Sequence, residues 1–309
     1  MRKLVSTLNL DHDKWLEYRK NSIGGSDSAT IIGLNKYKSS YSLWAEKKGY
    51  FDPAQKDTEV MRQGRDLEEY VAQRFCEATG KKVRKRNYMF LHNNYDFISA
   101  NVDREIVGEN AGLECKTTSV YNKTDFENGE IPEYYYCQCM HYMAVMGYEK
   151  MYLAVLILSK GFYYFEIKRD EAEIKALIDT EVYWWNKYIL GNEIPEIDGS
   201  DSTLNTVRNI NKDVIADVKD ISKLDDVLNE YEAVCKQKKF VEEKEKELKN
   251  NIITFMGSNE IGNSNKYSVS YKLQKRASID TTTLKKELPD IYNKYSKQSE
   301  IRVLRVKVN

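Results

Sequence analysis

What most constrains the fold of this chain is a change of hydrophobic period between residues 59 and 190. From about Glu59 to Ala78, Leu67, Val71 and Phe75 recur every four positions, a helical stripe that ends at Gly80. Then the period shortens. Lys82 to Leu91, Phe97 to Ile106 and Ala111 to Thr118 read as successive strands of a meander, parted by the turn-forming His92-Asn93-Asn94 and Gly108-Glu109-Asn110. A helix from about Pro132 to Met146 stops at Gly147. Strands at Met151 to Leu158 and Phe162 to Ile167 then flank the turn Ser159-Lys160-Gly161, and a helix from Asp170 to about Leu190 stops at Gly191. Helices and strands mixed in this order predict an α+β fold in three layers (α/β/α), a mixed central sheet flanked by helices.

The flanks are less regular. Asp11 to Gly25 predicts a short helix and a glycine turn, after which Ser26 or Asp27 can cap a helix through Ala29, Ile31 and Ile32. Another short helix is expected at Ser42 to Lys47. Past Gly191, Ile197 to Lys212 reads as a polar connector. Ser222 to about Phe255 is dense in Lys and Glu, with apolar residues at helical spacing, as in one long exposed helix or half of a helical hairpin. Tyr267 to Lys275, a helix near Thr283 to Tyr295 and a strand at Ile301 to Val308 predict a small αβ appendage. The division expected is therefore a core over 1–191 and a C-terminal region over 192–309.

Composition excludes several classes. None of the 309 residues fall in an apolar run of the roughly 18 to 20 that a membrane helix needs, and the N-terminus lacks a secretory pattern, so a cytoplasmic protein without membrane contact is expected. Forty-eight Lys and Arg balance forty-eight Asp and Glu. From Lys266 onward, however, eleven basic residues face four acidic ones, a local excess that suits phosphate contact or an ordinary solvated surface. The five cysteines read as reduced thiols, and Cys137-Gln-Cys139 lacks the second pair of a zinc or iron–sulfur site. With only three histidines, any chemistry falls to carboxylates.

The sharpest group of such residues is Asp103 followed across a turn by Glu114-Cys115-Lys116. Glu114 and Lys116, two apart on a strand, share one face, and Asp103 on the neighbouring strand can join them. Two carboxylates offer hard oxygen ligands for Mg²⁺ or Mn²⁺, and an ammonium can orient a water or offset phosphoryl charge. By itself the spacing also fits a charged strand face. Glu68 adjoins the apolar stripe of its helix and can supply a third carboxylate. Gln138 and Tyr142 lie four apart on one helical face, with Tyr135 a turn earlier. Arg19, Ser26 and the helix start after Gly24-Gly25 can hold a phosphate, or simply form a cap.

Taken together, Arg19-x₃-Ile23-Gly24-Gly25-Ser26-Asp27, Gly33 to Ser39, Gly64-x₃-Glu68, Ala100-x₂-Asp103, Leu113-Glu114-Cys115-Lys116-Thr117 and Gln138-x₃-Tyr142 occur in an order that resembles the YqaJ-type viral recombinases. These are phage nucleases similar to lambda exonuclease in the PD-(D/E)XK superfamily, and the resemblance spans roughly residues 10 to 190. It implies a restriction-endonuclease-like core with a C-terminal helical and small αβ appendage. It also implies that Asp103, Glu114 and the Cys115 carbonyl bind metal, with Glu68 supporting the site through water. Lys116 would assist the attacking water, Gln138 and Tyr142 would position the site or substrate, and Arg19 and Ser26 would take a 5′-terminal phosphate. One departure is Val102, where the superfamily carries a proline before the aspartate.

The function so implied is a Mg²⁺-dependent (or Mn²⁺-dependent) 5′→3′ exonuclease that resects double-stranded DNA ends for phage-type single-strand annealing. Its expected partners are DNA ends, an annealing protein and further copies of itself in a ring such as a trimer, within a bacterial host's cytoplasm. The rival readings are a restriction-type endonuclease, a CRISPR-associated iron–sulfur nuclease, whose cluster this cysteine spacing does not supply, and a non-catalytic DNA-binding or scaffold protein.

Overall fold

The computed structural model describes residues 1–50, 58–120, 126, 129–213, 215, 217–298 and 302–307. In chain order the elements are β1 (Arg2–Ser6), α1 (His12–Lys20), α2 (Gly25–Ile31), α3 (Ser40–Lys48), α4 (Glu59–Thr79), β2 (Val83–Arg84), β3 (Tyr88–Leu91), β4 (Ser99–Ala100), β5 (Arg104–Ile106) and β6 (Ala111–Thr118). Next come α5 (Glu133–Met146), β7 (Lys150–Ile157), β8 (Gly161–Lys168), α6 (Glu171–Trp184), α7 (Asp201–Ile210), α8 (Asp225–Met256), β9 (Ile261–Asn263), β10 (Ser268–Ser270), α9 (Thr281–Glu287) and α10 (Pro289–Tyr295). The chain divides into two compact units, Met1–Val214 and Ile215–Asn309.

The first unit is built around a five-stranded sheet of order β2-β5-β6-β7-β8. Its centre, β6 beside β7, is parallel with Glu114 opposite Leu153 and Lys116 opposite Val155, while the other pairs are antiparallel. A parallel pair needs a long crossover, and α5 lies in it. Alternation along β7 then sorts the core into two layers. Met151, Leu153, Val155 and Ile157 pack with Met140, Met143 and Met146 of α5 and with α6, whereas Tyr152 and Ala154 pack with Val71, Ala72 and Phe75 of α4. Helices on both faces of a mixed sheet are the layering that the change of period predicts.

Several boundaries differ from expectation for identifiable reasons. The meander is in fact two sheets: β3 and β4 join β1 in a three-stranded antiparallel sheet, while β2 and β5 join β6. The stretch from Lys82 to Leu91 breaks at Asn87, which adopts a left-handed φ of 49°. The stretch from Phe97 to Ile106 breaks likewise, and Asp103 sits in the bend just before β5 rather than within a strand. The helix expected to reach Leu190 changes at Trp185 into a π-helical turn, Trp185–Leu190, in which Trp185 stacks on Phe97 with ring centroids 5.1 Å apart.

Nor is the stretch from Ile197 to Lys212 a mere connector. Its residues form α7, which docks on α3 through hydroxyls, with Thr203 Oγ1 donating to Ser39 Oγ at 2.8 Å and Ser42 and Thr206 bonded at 2.8 Å. The first unit accordingly carries on past the Gly191 boundary to Val214. In the second unit α8 runs for 32 residues, β9 pairs with β10, and Pro289 parts α9 from α10, one helix having been expected there. Residues 302–307 form no strand, and the ends of the strand expected at 301–308 lie outside the described residues.

Candidate active site

β6 presents its residues alternately to the two layers, so Glu114 and Lys116 both face α5. The Lys116 ammonium lies 2.6 Å from Glu114 Oε1. From α5, Gln138 donates through Nε2 to the same Glu114 oxygen at 2.6 Å and to the Tyr142 hydroxyl at 3.0 Å. The Lys116 ammonium also sits 5.3 Å from the centre of the Tyr135 ring. The shared faces read from spacing two in the strand and four in the helix are therefore both present. Asp103 joins from the bend before β5, its Oδ2 accepting the Cys115 backbone N–H at 2.8 Å.

Electrostatics here are dominated by crowded carboxylates. Burial, then the charges of Glu114 and Glu68, push the Asp103 carboxyl well above the usual range. Burial works against the Lys116 ammonium, yet Glu114 and Asp103 outweigh it and hold the proton more tightly than on a free lysine. Burial and the Glu114 charge raise the Tyr142 phenol, which stays protonated. Glu114 Oε2 is buried and has no hydrogen-bond partner among the described residues. A buried carboxylate oxygen without a donor, beside a second carboxyl strained toward protonation, fits a hard divalent cation. Asp103 and Glu114 are the side chains placed to hold one. Among the described residues no three His, Cys, Asp or Glu side chains converge as a metal-binding group.

Glu68 has a partner that its spacing does not announce. It reaches the cleft from α4 but is ion-paired with the Arg104 guanidinium, which also bonds Glu69 at 3.0 Å and the Asp103 carbonyl at 2.7 Å. Arg104, 2% exposed at the start of β5, was not foreseen. Its local signal was an arginine directly after the aspartate, on a strand that has to bury one face.

The N-terminal pocket is assembled by a second buried pair. Arg19 donates from Nη2 to Ser26 Oγ at 2.7 Å, and its guanidinium lies 4.8 Å from the centre of the Trp15 ring. The helix begins at Gly25, earlier than the expected cap, and Asp27 closes it by accepting the Gly24 N–H at 3.1 Å. Asp27 is paired at 2.8 Å with Lys47 of α3, whose ammonium also donates to the carbonyls of Arg19 and Ser22, each at 2.6 Å. Burial opposes ionisation of Asp27, but Lys47, Lys38 and Arg19 prevail and hold its carboxyl far below the usual range. Lys47 thus pins the turn that carries Arg19. No sequence motif pointed to it.

Of the two glycines in the turn, Gly25 is the one that packing requires. A Cβ there would lie 2.6 Å from the Tyr142 ring, so α2 rests directly on the helix that carries Gln138 and Tyr142. Behind this contact, Glu181 Oε1 of α6 accepts from Ser28 at 2.7 Å and lies 2.9 Å from His141 Nδ1, and His141 Nε2 is 2.8 Å from the Ser99 carbonyl. Burial lowers the His141 pKa and Glu181 more than restores it, so the net shift is upward. These residues come from four distant segments, which leaves no spacing to read.

Arg19, Glu68, Asp103, Glu114 and Lys116 line one cleft of about 790 Å³. The Arg19 side chain and the carboxylate pair therefore face a common space.

Comparison with known proteins bears on the family and the fold. The family described as the YqaJ-like viral recombinase domain matches residues 14–149. A Bacillus subtilis (strain 168) protein described as "Uncharacterized protein YqaJ" is 37% identical over 312 residues, covering 98% of this chain and 97% of that one. Among solved structures, an alkaline exonuclease from Laribacter hongkongensis (LHK-Exo) superposes with a TM-score of 0.50 at 17% identity, covering 58% of this chain and 93% of that one. The structure of the same exonuclease in complex with dAMP gives the same score and coverage. At that identity the superposition speaks for the fold alone, a mixed central sheet flanked by helices shared with that exonuclease. The near full-length relative and the family match settle the kinship: this chain belongs to the YqaJ-like viral recombinase family.

Proposed function

We propose that the chain is a divalent-metal-dependent deoxyribonuclease that degrades double-stranded DNA from its ends in the 5′→3′ direction, feeding single-strand annealing recombination. The observation that carries this reading is the shared cleft: Arg19, held against Ser26, opens onto the same space as Asp103, Glu114 and Lys116. A 5′-phosphate on the guanidinium and hydroxyl would lay the first phosphodiester linkages toward the carboxylates.

Within the site each residue has a distinct task. Asp103 and Glu114, with the Cys115 carbonyl, would hold Mg²⁺ or Mn²⁺, and Glu68 would reach it through water. When bound, such a cation supplies a water acidified toward neutral pH and charge stabilisation at the leaving oxygen. Lys116, kept protonated by its carboxylate neighbours, orients the attacking water and offsets phosphoryl charge. Gln138 fixes the Glu114 carboxylate by donating to Oε1, which leaves Oε2 for the cation. Tyr142 supports Gln138 from behind. An annealing protein and a ring-shaped homo-oligomer, for instance a trimer, belong to the same reading as partners.

The test compares linear with closed circular duplex in the presence and absence of Mg²⁺. Digestion of linear DNA alone, only with the cation, is expected, and cleavage of closed circles overturns the exonuclease assignment. Glu114→Gln should cost more than the roughly 10–100-fold that losing an outer partner of a metal ligand costs. Arg19→Ala should slow 5′-phosphorylated ends far more than 5′-hydroxyl ends.

A further inference from the structure

The long helix α8 carries an exposed apolar row. Val227, Val234, Val241, Leu248 and Phe255 recur at strict intervals of seven, and Leu224, Tyr231 and Ile252 flank them at the companion heptad positions. Val227, Val234, Val241 and Leu248 are 61%, 54%, 63% and 51% exposed. Within α8 only Met256 is buried, with its sulfur packed close to Gly262 of β9. An apolar row of this length on one face marks an interaction surface. Its period names the kind. A straight α-helix drifts about 20° per heptad against an exact seven-residue repeat, so the row stays in line only by supercoiling around another helix.

The charges on that face select the occupant. At the two middle companion positions the row is interrupted by Lys238 and Glu245. In a parallel in-register pair of α8 helices each would meet its own copy, lysine on lysine and glutamate on glutamate. An antiparallel pair crossing near the middle of the helix instead brings each Lys238 beside the other copy's Glu245. Their present partners lie on their own helix, Glu242 at 3.8 Å from Lys238 and Lys249 at 2.6 Å from Glu245. Such exposed pairs are weak and exchange easily. We propose that α8 is a dimerisation helix that pairs antiparallel with α8 of a second copy of this chain, closing the heptad row and crossing Lys238 with Glu245. The surface shares no residue with the cleft and does not depend on the nuclease reading.

The experiment measures the solution mass of the full chain by light scattering, with far-UV circular dichroism to follow helix content. Val234→Glu/Val241→Glu/Leu248→Glu should keep its helix and halve the mass. An unchanged mass, or a wild type already monomeric, overturns the proposal. Because the triple change is drastic, charge reversal gives a second reading. Lys238→Glu places like charges together and should weaken association at least about tenfold, and Lys238→Glu/Glu245→Lys should restore it. Failure of the double variant to recover overturns the antiparallel pairing.

Discussion

The two units of the chain invert each other. Up to Val214 the protein buries charge: Lys47 with Asp27, Glu114, His141 with Glu181, and Arg104. From Ile215 onward it exposes apolar surface, and Met256 is the one buried residue among those described. Buried ions are costly and are retained where they fix geometry, whereas exposed apolar rows persist where something else will cover them. Among the described residues the buried charges all lie in the first unit, and the exposed heptad row lies in the second, where we propose that a second copy covers it.

The largest effect expected from this contrast concerns Lys47. Lys47→Met leaves Asp27 as an unpaired buried carboxylate and should cost about 3–5 kcal/mol, read by denaturant unfolding. A loss under 1 kcal/mol would show that the pair does not lock the Arg19 turn. The wild-type contribution of Asp27 has a definite sign: its folded pKa is depressed, so the stability is present at neutral pH and lost as pH falls below the ordinary aspartate range.

Asp103 should behave in the opposite sense. Its pKa is raised in the folded protein, so without metal its protonated form favours the fold at low pH and that contribution vanishes as pH rises. Asp103→Asn keeps the bond from the Cys115 N–H and should stabilise the metal-free protein by roughly 0.5–2 kcal/mol while abolishing activity. A destabilised Asp103→Asn protein would mean that the carboxylates do not repel one another. The smallest effect belongs to the second unit. Lys239→Ala, which removes an exposed pair with Glu243 at 3.9 Å, should leave the melting temperature unchanged, in direct contrast to Lys47.

What was legible in the sequence follows the same line. The central elements could be read because period and turn chemistry agree there: Ala111–Thr118 and the α5 helix stand almost where spacing placed them, and both Glu114-x-Lys116 and Gln138-x₃-Tyr142 converge as their periods require. What resisted reading depends on distant partners. Asn87 breaks a strand so that two neighbouring segments enter different sheets, α7 is held by hydroxyls of α3, and Lys47, Arg104 and Glu181 are charges whose burial no local pattern announces. Glu68 was placed on the correct helix, but its pairing with Arg104 could not be inferred from spacing.

The contact between Gly25 and Tyr142 has an evolutionary consequence. A residue with any side chain at 25 would collide with the ring at 142, and a lost ring at 142 would leave a void under α2. Drift at these positions is therefore coupled across 117 residues of chain: a lineage that keeps the tyrosine keeps the glycine, and one that replaces it still meets Gln138 Cγ 3.1 Å from a Cβ at position 25.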